Sequence, residues 1–395
     1  MGDDAAEAVT LRVALVCPYS LSRPGGVQGQ VLGLARSLAA RGHAVRVLAP
    51  VDRDEDRPGG IDFVPSGHST AVRANGSVAP VSLSVSAARR ALDAVRAWEP
   101  DVVHVHEPFA PGLPYALLVA GGLPPLVGTF HRSGGSPLYS IARPLTRRLA
   151  RRLSVRCAVS VAAASTARRA LGGEYDVLFN GIEVDRFADV DPWPTTGPTA
   201  VFLGRHEERK GLAVLLEAWD RVLATGIPGV SEAGAAGPVL WVAGDGPETE
   251  ALRRRHPASA SVQWLGVLGE EEKVRRLVGA DVLSAPALGG ESFGLVLLEA
   301  MAARTVVVAS NIDGYRDAAG GRAVLVPPGD PAALATALAD VLGGTQAPDP
   351  AGPDAGAGRE GWLARGADRA GEWSMASLAE RYEAHYHRVA KRSDR

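Results

Sequence analysis

The sequence predicts an α/β protein made of two Rossmann-like, doubly wound domains. Three observations carry that expectation. Short apolar runs alternate with helical patterns along most of the chain, the order that builds a parallel sheet with helices on both faces. The alternation halts at a proline- and threonine-rich passage, Asp191 to Pro198, and restarts at Ala200. A chain of 395 residues also exceeds what one hydrophobic core usually organises. The expected division is residues 1–193, residues 194–373, and a last helical segment, 374–395, that crosses back to the first domain. Two such domains leave a cleft between two rows of strand ends, which suits bringing a donor and an acceptor together.

The first domain opens, after a small acidic tail, with the apolar run Leu11 to Cys17, read as a strand buried on both faces. Pro18-Tyr19-Ser20 closes it, and Arg23-Pro24-Gly25-Gly26-Val27 leads into a helix from Gln28 to Ala40 that Gly42 ends. Ala44 to Ala49 is the next strand. A glycine-rich turn after the first strand of a βαβ unit is the usual place for a phosphate. The turn is not G-x-G-x-x-G, so a nicotinamide dinucleotide is not favoured. Further strands are expected at Asp101 to His106, Pro125 to His131, Cys157 to Val161 and Val177 to Asn180. Ligands gather at the carboxyl ends of parallel strands, where Tyr19, His106 and His131 fall.

The second domain restarts with Ala200 to Gly204, followed by Arg205, Arg209-Lys210-Gly211 and a helix over 212–224. Strand Val239 to Ala243 runs into Gly244-Asp245-Gly246-Pro247. Val262 to Gly266, Val282 to Pro286, Thr305 to Ser310 and Ala323 to Val326 complete the pattern. The Ala/Gly-rich stretches 225–238 and 343–360 read as surface insertions, and Ser377 to Val389 as a closing helix. Between Gly289 and Glu299 two glycines precede Glu291, then an apolar helix runs through Ala303. Ser292 is a candidate N-cap, and free N–H groups at a helix start favour an anion. A carboxylate at that mouth suits sugar hydroxyls, because it accepts hydrogen bonds in fixed directions. Phosphate and polyol together suggest a sugar nucleotide. The plainer reading is a buried helix bearing two glutamates.

Apolar residues make up 46% of the chain and charged ones 22%, as in soluble globular proteins. The formal net charge is -2, which gives no electrostatic case for a nucleic-acid partner. Lysine occurs only at Lys210, Lys273 and Lys391; every other one of the 42 basic residues is arginine. Cys17 and Cys157 are isolated and lack metal spacing. No apolar run reaches the roughly 18 residues of a membrane span, and no signal-peptide pattern is present. A cytoplasmic monomer is expected.

Several motifs in fixed order resemble the family 4 glycosyltransferases. They are Pro24-Gly25-Gly26-Val27, Gly204-Arg205 with Arg209-Lys210-Gly211, Gly244-Asp245-Gly246-Pro247, and Glu291 with Glu299 as E-x7-E. The resemblance implies the GT-B fold, retention of anomeric configuration and a nucleotide-sugar donor, from about residue 11 onward. A closer resemblance, to actinobacterial phosphatidylinositol mannosyltransferases, is carried by five segments. These are Val16-Cys17-Pro18-Tyr19-Ser20, Val27-Gln28, Asn75-Gly76-Ser77-Val78-Ala79, His104-Val105-His106-Glu107-Pro108 and Thr129-Phe130-His131. It implies GDP-mannose as donor and an inositol lipid at the membrane as acceptor.

By this resemblance Arg205 and Lys210 take the donor pyrophosphate, with Gly25 and Gly26 at the distal phosphate. Glu291 holds the transferred sugar, Phe293, Gly294 and Leu295 present backbone to it, and Glu299 takes the ribose. Asp245 and Gly246 line the nucleotide pocket and Val267 lies near the base. His131 acts beside the anomeric centre; Tyr19, Gln28, Asn75, Ser77, His106 and His131 form the acceptor side. Fixed cations stand where a divalent ion would otherwise be needed, so metal-independent catalysis is implied. No carboxylate in the first domain is an evident nucleophile, and a same-face substitution is expected in which the leaving phosphate takes the acceptor proton.

Two departures qualify the closer match. Inositol-lipid relatives carry arginines after N-G-S-V-A, where this chain has Pro80, Val81, Ser82 and Leu83. The next helix offers only Arg89, Arg90 and Arg96, while Arg143, Arg147, Arg148, Arg151 and Arg152 form a second basic stretch that suits anionic lipid or plain solvent. Arg304 replaces the usual glycine after Glu-Ala-Met-Ala-Ala, which predicts a local change in the turn. The alternatives are a transferase of the same build with a soluble acceptor, a sugar-nucleotide epimerase and a non-catalytic nucleotide-sugar binding module.

Overall fold

The computed structural model describes residues 9–23, 25–74, 77–132, 143–227, 237–291, 293–344 and 358–393. The chain forms two compact units, one running to Gly181 and resuming at Met375, the other spanning Ile182–Ser374.

The first unit contains strands β1 (Arg12–Val16), β2 (Ala44–Ala49), β3 (Asp62–Pro65), β4 (Thr70–Ala74), β5 (Ser77–Val81), β6 (Val102–His106), β7 (Leu126–Phe130), β8 (Leu153–Ala158) and β9 (Asp176–Val177). Seven of them make a parallel sheet in the order β3-β2-β1-β6-β7-β8-β9; β4 and β5 pair as a separate antiparallel hairpin. The period-2 geometry of a strand divides each apolar run between two cores. Val13, Leu15 and Cys17 face the helix Gly26–Ala40 and the last helix, Met375–Ser393, whereas Ala14 and Val16 face helices Val85–Trp98, Leu113–Val119 and Val161–Leu171. Met375, Leu378, Ala379, Tyr382, Tyr386 and Val389 form the buried stripe of the last helix, at the spacing of one helical face. On β6 the same alternation sends Val103 and Val105 into one core and His104 and His106 toward the other face.

Some expected bounds move. The strand placed at Cys157 to Val161 begins instead at Leu153 and ends at Ala158. Its residues Ser154 and Arg156 alternate with buried Leu153, Val155 and Cys157, so no continuous apolar run marks its start. The strand read at Val177 to Asn180 is a two-residue pairing, Asp176–Val177. The β4–β5 hairpin and β3 are additions, since mixed polar sequences carry their pairing.

The second unit holds β10 (Thr199–Leu203), β11 (Val239–Ala243), β12 (Val262–Gly266), β13 (Val282–Ala285), β14 (Val306–Ser310) and β15 (Val324–Val326). They form one parallel sheet in the order β12-β11-β10-β13-β14-β15. Trp219, Leu215 and Leu216 of helix Leu212–Thr225 centre its core with Leu334 and Leu338 of helix Pro331–Leu342. The passage from Ile182 to Trp193 packs on this unit. Trp193 N–H donates to Arg275 O (2.9 Å), and Arg275 and Arg276 lie over the Trp193 ring at 5.0 and 4.0 Å. Most of both Ala/Gly-rich stretches lies outside the described residues. Arg304 takes φ 58°, the left-handed conformation that a glycine adopts without penalty.

Candidate active site

Because the second sheet is parallel, β12, β11, β10 and β13 deliver their carboxyl ends to one edge. The expected donor residues come together there. After β10 the chain makes a short 3-10 turn, Glu208–Lys210, and then Gly211 at φ 71°. A Cβ on Gly211 would lie 2.0 Å from the carbonyl oxygen of Pro286, so this glycine lets the Lys210 turn rest on the end of β13. Leu288 N–H donates to Arg209 O (2.8 Å) and stitches the two loops.

Glu291 stands at the junction. Its Oε1 lies 2.7 Å from Lys210 Nζ and 2.7 Å from Arg209 Nη1. Arg205 is more open and pairs with Glu207 at 2.7 Å, which also holds Arg209 Nε at 3.0 Å. Arg209 therefore belongs to the cluster, a residue that the motif contained but that the sequence did not single out. The backbone of Glu291 is packed against Gly314, where a Cβ would meet Glu291 O at 2.3 Å. Burial and the Glu291 carboxylate push the Tyr315 hydroxyl pKa upward, so this tyrosine stays neutral.

The helix after Glu291 spans Leu295–Ala302, with Gly294 at its N-cap at φ 87° and no side-chain cap. Ser292 lies outside the described residues. A Cβ on Gly294 would meet Tyr315 Cδ1 at 2.5 Å, so the turn requires glycine twice over. Phe293 is buried with its ring edge-on to Trp373, which leaves its backbone as the available group.

Glu299 accepts from Lys273 Nζ at 3.0 Å, and Lys273 also reaches Glu270 at 3.1 Å. Burial pulls the Lys273 ammonium down, but the two carboxylates outweigh it and hold its pKa above the usual value. Lysine scarcity singled out Lys273 only as a residue of interest; its partner is visible in three dimensions alone.

The Gly244-Asp245-Gly246 turn packs on the Arg205 loop. Cβ atoms at Gly244 and Gly246 would lie 1.8 Å from Gly204 O and 2.5 Å from His206 O. Asp245 accepts from Thr249 Oγ1 at 2.7 Å, while Gly246 N–H donates to the same hydroxyl at 2.8 Å. The Thr249 bond holds the Asp245 carboxyl below the usual range, and the side chain shapes the turn. Gly244 N–H donates to Gly266 O (2.7 Å), beside exposed Val267.

In the first unit, Gly25 caps the helix Gly26–Ala40 in extended conformation, and a Cβ there would meet Gln28 Oε1 at 2.4 Å. The N–H groups of the first turn have no intrahelical acceptor. Gln28 spends its amide on the loop, donating to Ser20 O (3.2 Å) and Arg23 O (3.0 Å). Tyr19 bridges Val81 of the hairpin, and burial raises its hydroxyl pKa. Asn75 lies outside the described residues; Ser77 opens β5, paired with Ala74.

His131 follows β7, and its backbone N–H donates to Glu107 Oε1 (2.6 Å). Glu107 is itself buried at φ 47°, and burial raises its carboxyl pKa. His131 Nε2 is 2.8 Å from His106 Nδ1. His106 is only 2% exposed, so it stands behind His131 instead of presenting a surface to an acceptor.

Of the basic stretch, Arg147, Arg148 and Arg151 are exposed, whereas Arg152 donates to Leu118 O (2.6 Å) and Ala120 O. Among the described residues one group could chelate a metal, His43, Glu383 and His387. Its hydrogen bonds oppose that use. His43 Nδ1 accepts from Leu11 N–H (3.2 Å), which leaves the ring proton on Nε2, facing Glu383 at 3.3 Å, and Arg41 already binds that carboxylate.

Two parallel-sheet units with cations, a carboxylate and glycine turns at strand ends define a GT-B glycosyltransferase. Comparison with known proteins agrees. A family model described as Glycosyltransferase Family 4 matches residues 24–186, and one described as Glycosyl transferases group 1 matches residues 197–343. The Mycolicibacterium smegmatis phosphatidyl-myo-inositol mannosyltransferase is 38% identical over 380 residues, 93% of this chain and 92% of that protein. The Mycobacterium leprae protein of the same description is 39% identical over 344 residues, 84% of this chain and 87% of that one. A solved glycosyltransferase from Rickettsia africae superposes with TM-score 0.69 at 16% identity, covering 97% of this chain and 99% of that one. Sucrose-phosphate synthase from Thermosynechococcus elongatus gives 0.67 at 19%, covering 96% and 99%. The chain belongs to the family 4 glycosyltransferases, enzymes that move a sugar from a nucleotide-sugar donor to an acceptor.

Proposed function

We propose that this enzyme transfers mannose from GDP-mannose to the inositol ring of a phosphatidylinositol, with retention of configuration. The observation that carries the proposal is the identity of 36–39% to relatives described as phosphatidyl-myo-inositol mannosyltransferases, over 78–93% of the chain. In this reading Lys210, Arg205 and Arg209 bind the donor pyrophosphate, and Glu291 turns from them to the mannose hydroxyls. Glu299 holds the ribose, with Lys273 orienting its carboxylate. Asp245, Gly246 and Val267 border the nucleotide. The first-turn N–H groups after Gly25 and Gly26 face phosphate, and His131 acts on the transferred sugar. The glycosidic C–O bond to phosphate breaks as the acceptor oxygen bonds the same face, and the departing phosphate oxygen takes the acceptor proton.

No helix among the described residues is long and apolar enough to cross a membrane. Leu83, in the segment where arginines are expected of lipid-using relatives, and the nearby Val85 are 52% and 68% exposed and offer apolar contact. The same missing arginines favour a second reading, a soluble polyol acceptor. Labelled GDP-mannose with phosphatidylinositol vesicles, or with soluble polyols, decides between them. Mannosyl lipid is the expected product. Transfer confined to a soluble acceptor, or a donor other than GDP-mannose, overturns the proposal.

A further inference from the structure

We infer that His106 is a positioning residue: buried beside His131, it fixes the His131 ring as the Nδ1–H tautomer and so makes the other ring nitrogen, Nδ1, a hydrogen-bond donor. The inference rests on the reading that His131 acts at the transferred sugar.

The argument is one of proton accounting. His106 Nδ1 and His131 Nε2 are 2.8 Å apart, so one of these nitrogens carries the shared proton. His106 Nε2 is buried and has no hydrogen-bond partner among the described residues. The cavity beside it, lined by Gln30, Val159, Leu178 and Tyr382 among others, holds about 10 Å³. That is only the lower limit of the roughly 10–15 Å³ that one water needs.

If His131 donated, the proton of neutral His106 would sit on Nε2 as a buried N–H with nothing to receive it. If His106 donates, Nε2 carries only an unused lone pair. An orphaned buried N–H is the rarer and costlier arrangement. His106 is therefore the Nδ1–H tautomer, and His131, receiving that proton at Nε2, keeps its own on Nδ1. Burial lowers the pKa of both rings, His131 to about 4, so both are neutral near pH 7.

The donor ring is held from behind. His106 stacks on His104 with centroids 4.4 Å apart and planes at 29°. His104 Nδ1 bonds Tyr386 OH at 2.6 Å and its Nε2 bonds Thr129 Oγ1 at 2.7 Å. Thr129 in turn meets Tyr382 OH at 3.0 Å. Two tyrosines of the last helix thus pin the histidine pair through side chains that are themselves fully buried. A neutral imidazole with Nδ1–H suits a sugar or phosphate oxygen and does not suit proton abstraction, which needs a lone pair.

Imidazole ¹⁵N–¹H NMR of the full chain, with His131 assigned by difference from His131→Gln, reads the tautomer directly. The expected spectrum has His131 protonated at Nδ1 and unprotonated at Nε2. Protonation at Nε2 in the unsubstituted protein overturns the inference whatever the kinetics. His106→Leu removes the donor, and mixed His131 tautomers are expected with kcat lowered by roughly 10²-fold and donor KM little changed. His106→Asn restores an amide donor near the Nδ1 position, and the Nδ1–H signal and most of kcat are expected to return. A His106→Leu protein with an unchanged His131 tautomer refutes the positioning role. Unchanged transfer in His131→Gln instead refutes the part given to His131, and the NMR result on the unsubstituted protein still decides the tautomer.

Discussion

Glu291→Gln separates the two tasks given to one carboxylate. Glu291 Oε1 lies 2.7 Å from both Lys210 Nζ and Arg209 Nη1. At an effective dielectric of about 20, each contact has a gross attraction of roughly 6 kcal/mol, most of it cancelled by desolvation. Arg209 is 47% exposed, so its share is close to that of a surface pair, under about 1 kcal/mol. Lys210 and Glu291 are less open, and their pair falls between the surface and buried cases. The amide is expected to cost about 2 kcal/mol of stability, or roughly 4–8 °C in Tm for a unit of this size. Two cations are then released toward phosphate, so GDP binds tighter, by up to about tenfold for each 1.4 kcal/mol gained. Transfer falls by roughly 10²–10³-fold, the usual loss when a group aimed at the reacting substrate is removed. Calorimetric titration with GDP and initial transfer rates measure the two sides. Weaker GDP binding with unimpaired transfer would refute the assignment of Glu291 to the sugar.

Three further outcomes follow from the same geometry. Gly211→Ala forces a Cβ to within 2.0 Å of Pro286 O at φ 71°; the left-handed backbone alone costs about 1–2 kcal/mol, and GDP stabilisation in a thermal-shift assay is expected to shrink as the Lys210 turn moves. Arg304→Gly relieves a left-handed arginine and loses an exposed pair with Glu360, for a net gain of roughly 0.5–1 kcal/mol by urea denaturation; a loss would assign more to that pair than its exposure allows. Acid destabilises the first unit through its buried histidines. His104 is held to about 3 by burial, below an unfolded value of about 6.5, so its contribution is full above pH 6.5 and declines toward pH 3. About 2 kcal/mol is lost from His104 by pH 5, His106 adds in the same direction, and the raised Glu107 opposes them. Urea titrations at pH 7 and pH 5 test this, and an equal pH slope in His104→Gln would refute it.

The alternation of apolar runs made both sheets legible, because a parallel strand buried on two faces needs an unbroken apolar sequence. Where one face is shared with polar groups the signal weakens. β8 begins two residues after Arg151 with L-S-V-R-C-A, and its start was set four residues late. The turns of the expected donor loops were legible because glycines mark places where no Cβ fits: Gly211, Gly244, Gly246 and Gly294 each meet backbone or a ring. Partnerships were not. Lys273 is 26 residues from Glu299, and Tyr386 is 282 residues from His104. Such pairs are fixed by how helices pack, and one sequence gives no measure of that. His106 was assigned to the acceptor by the resemblance and by its strand-end position, and neither signal reports the depth of a side chain that is only 2% exposed.

The charge pattern at the donor edge has a consequence for selectivity. Arg205, Arg209 and Lys210 face Glu207 and Glu291, and Lys273 faces Glu270 and Glu299, so each cation there already has a carboxylate. On the proposed assignment, a diphosphate bound at Lys210 displaces Glu291 from its 2.7 Å ion pair, and the freed carboxylate then needs new donors or water. In the proposed reading the sugar hydroxyls of the same ligand supply those donors, and the nucleoside diphosphate alone does not. Exchange of partners therefore ties phosphate recognition to sugar recognition, and it makes the intact sugar nucleotide the better ligand although both carry the same diphosphate. After transfer the sugar leaves with the acceptor and Glu291 can reclaim Lys210, which weakens the hold on GDP. On that assignment, the ion pair that opposes binding of a bare diphosphate also favours its release as product.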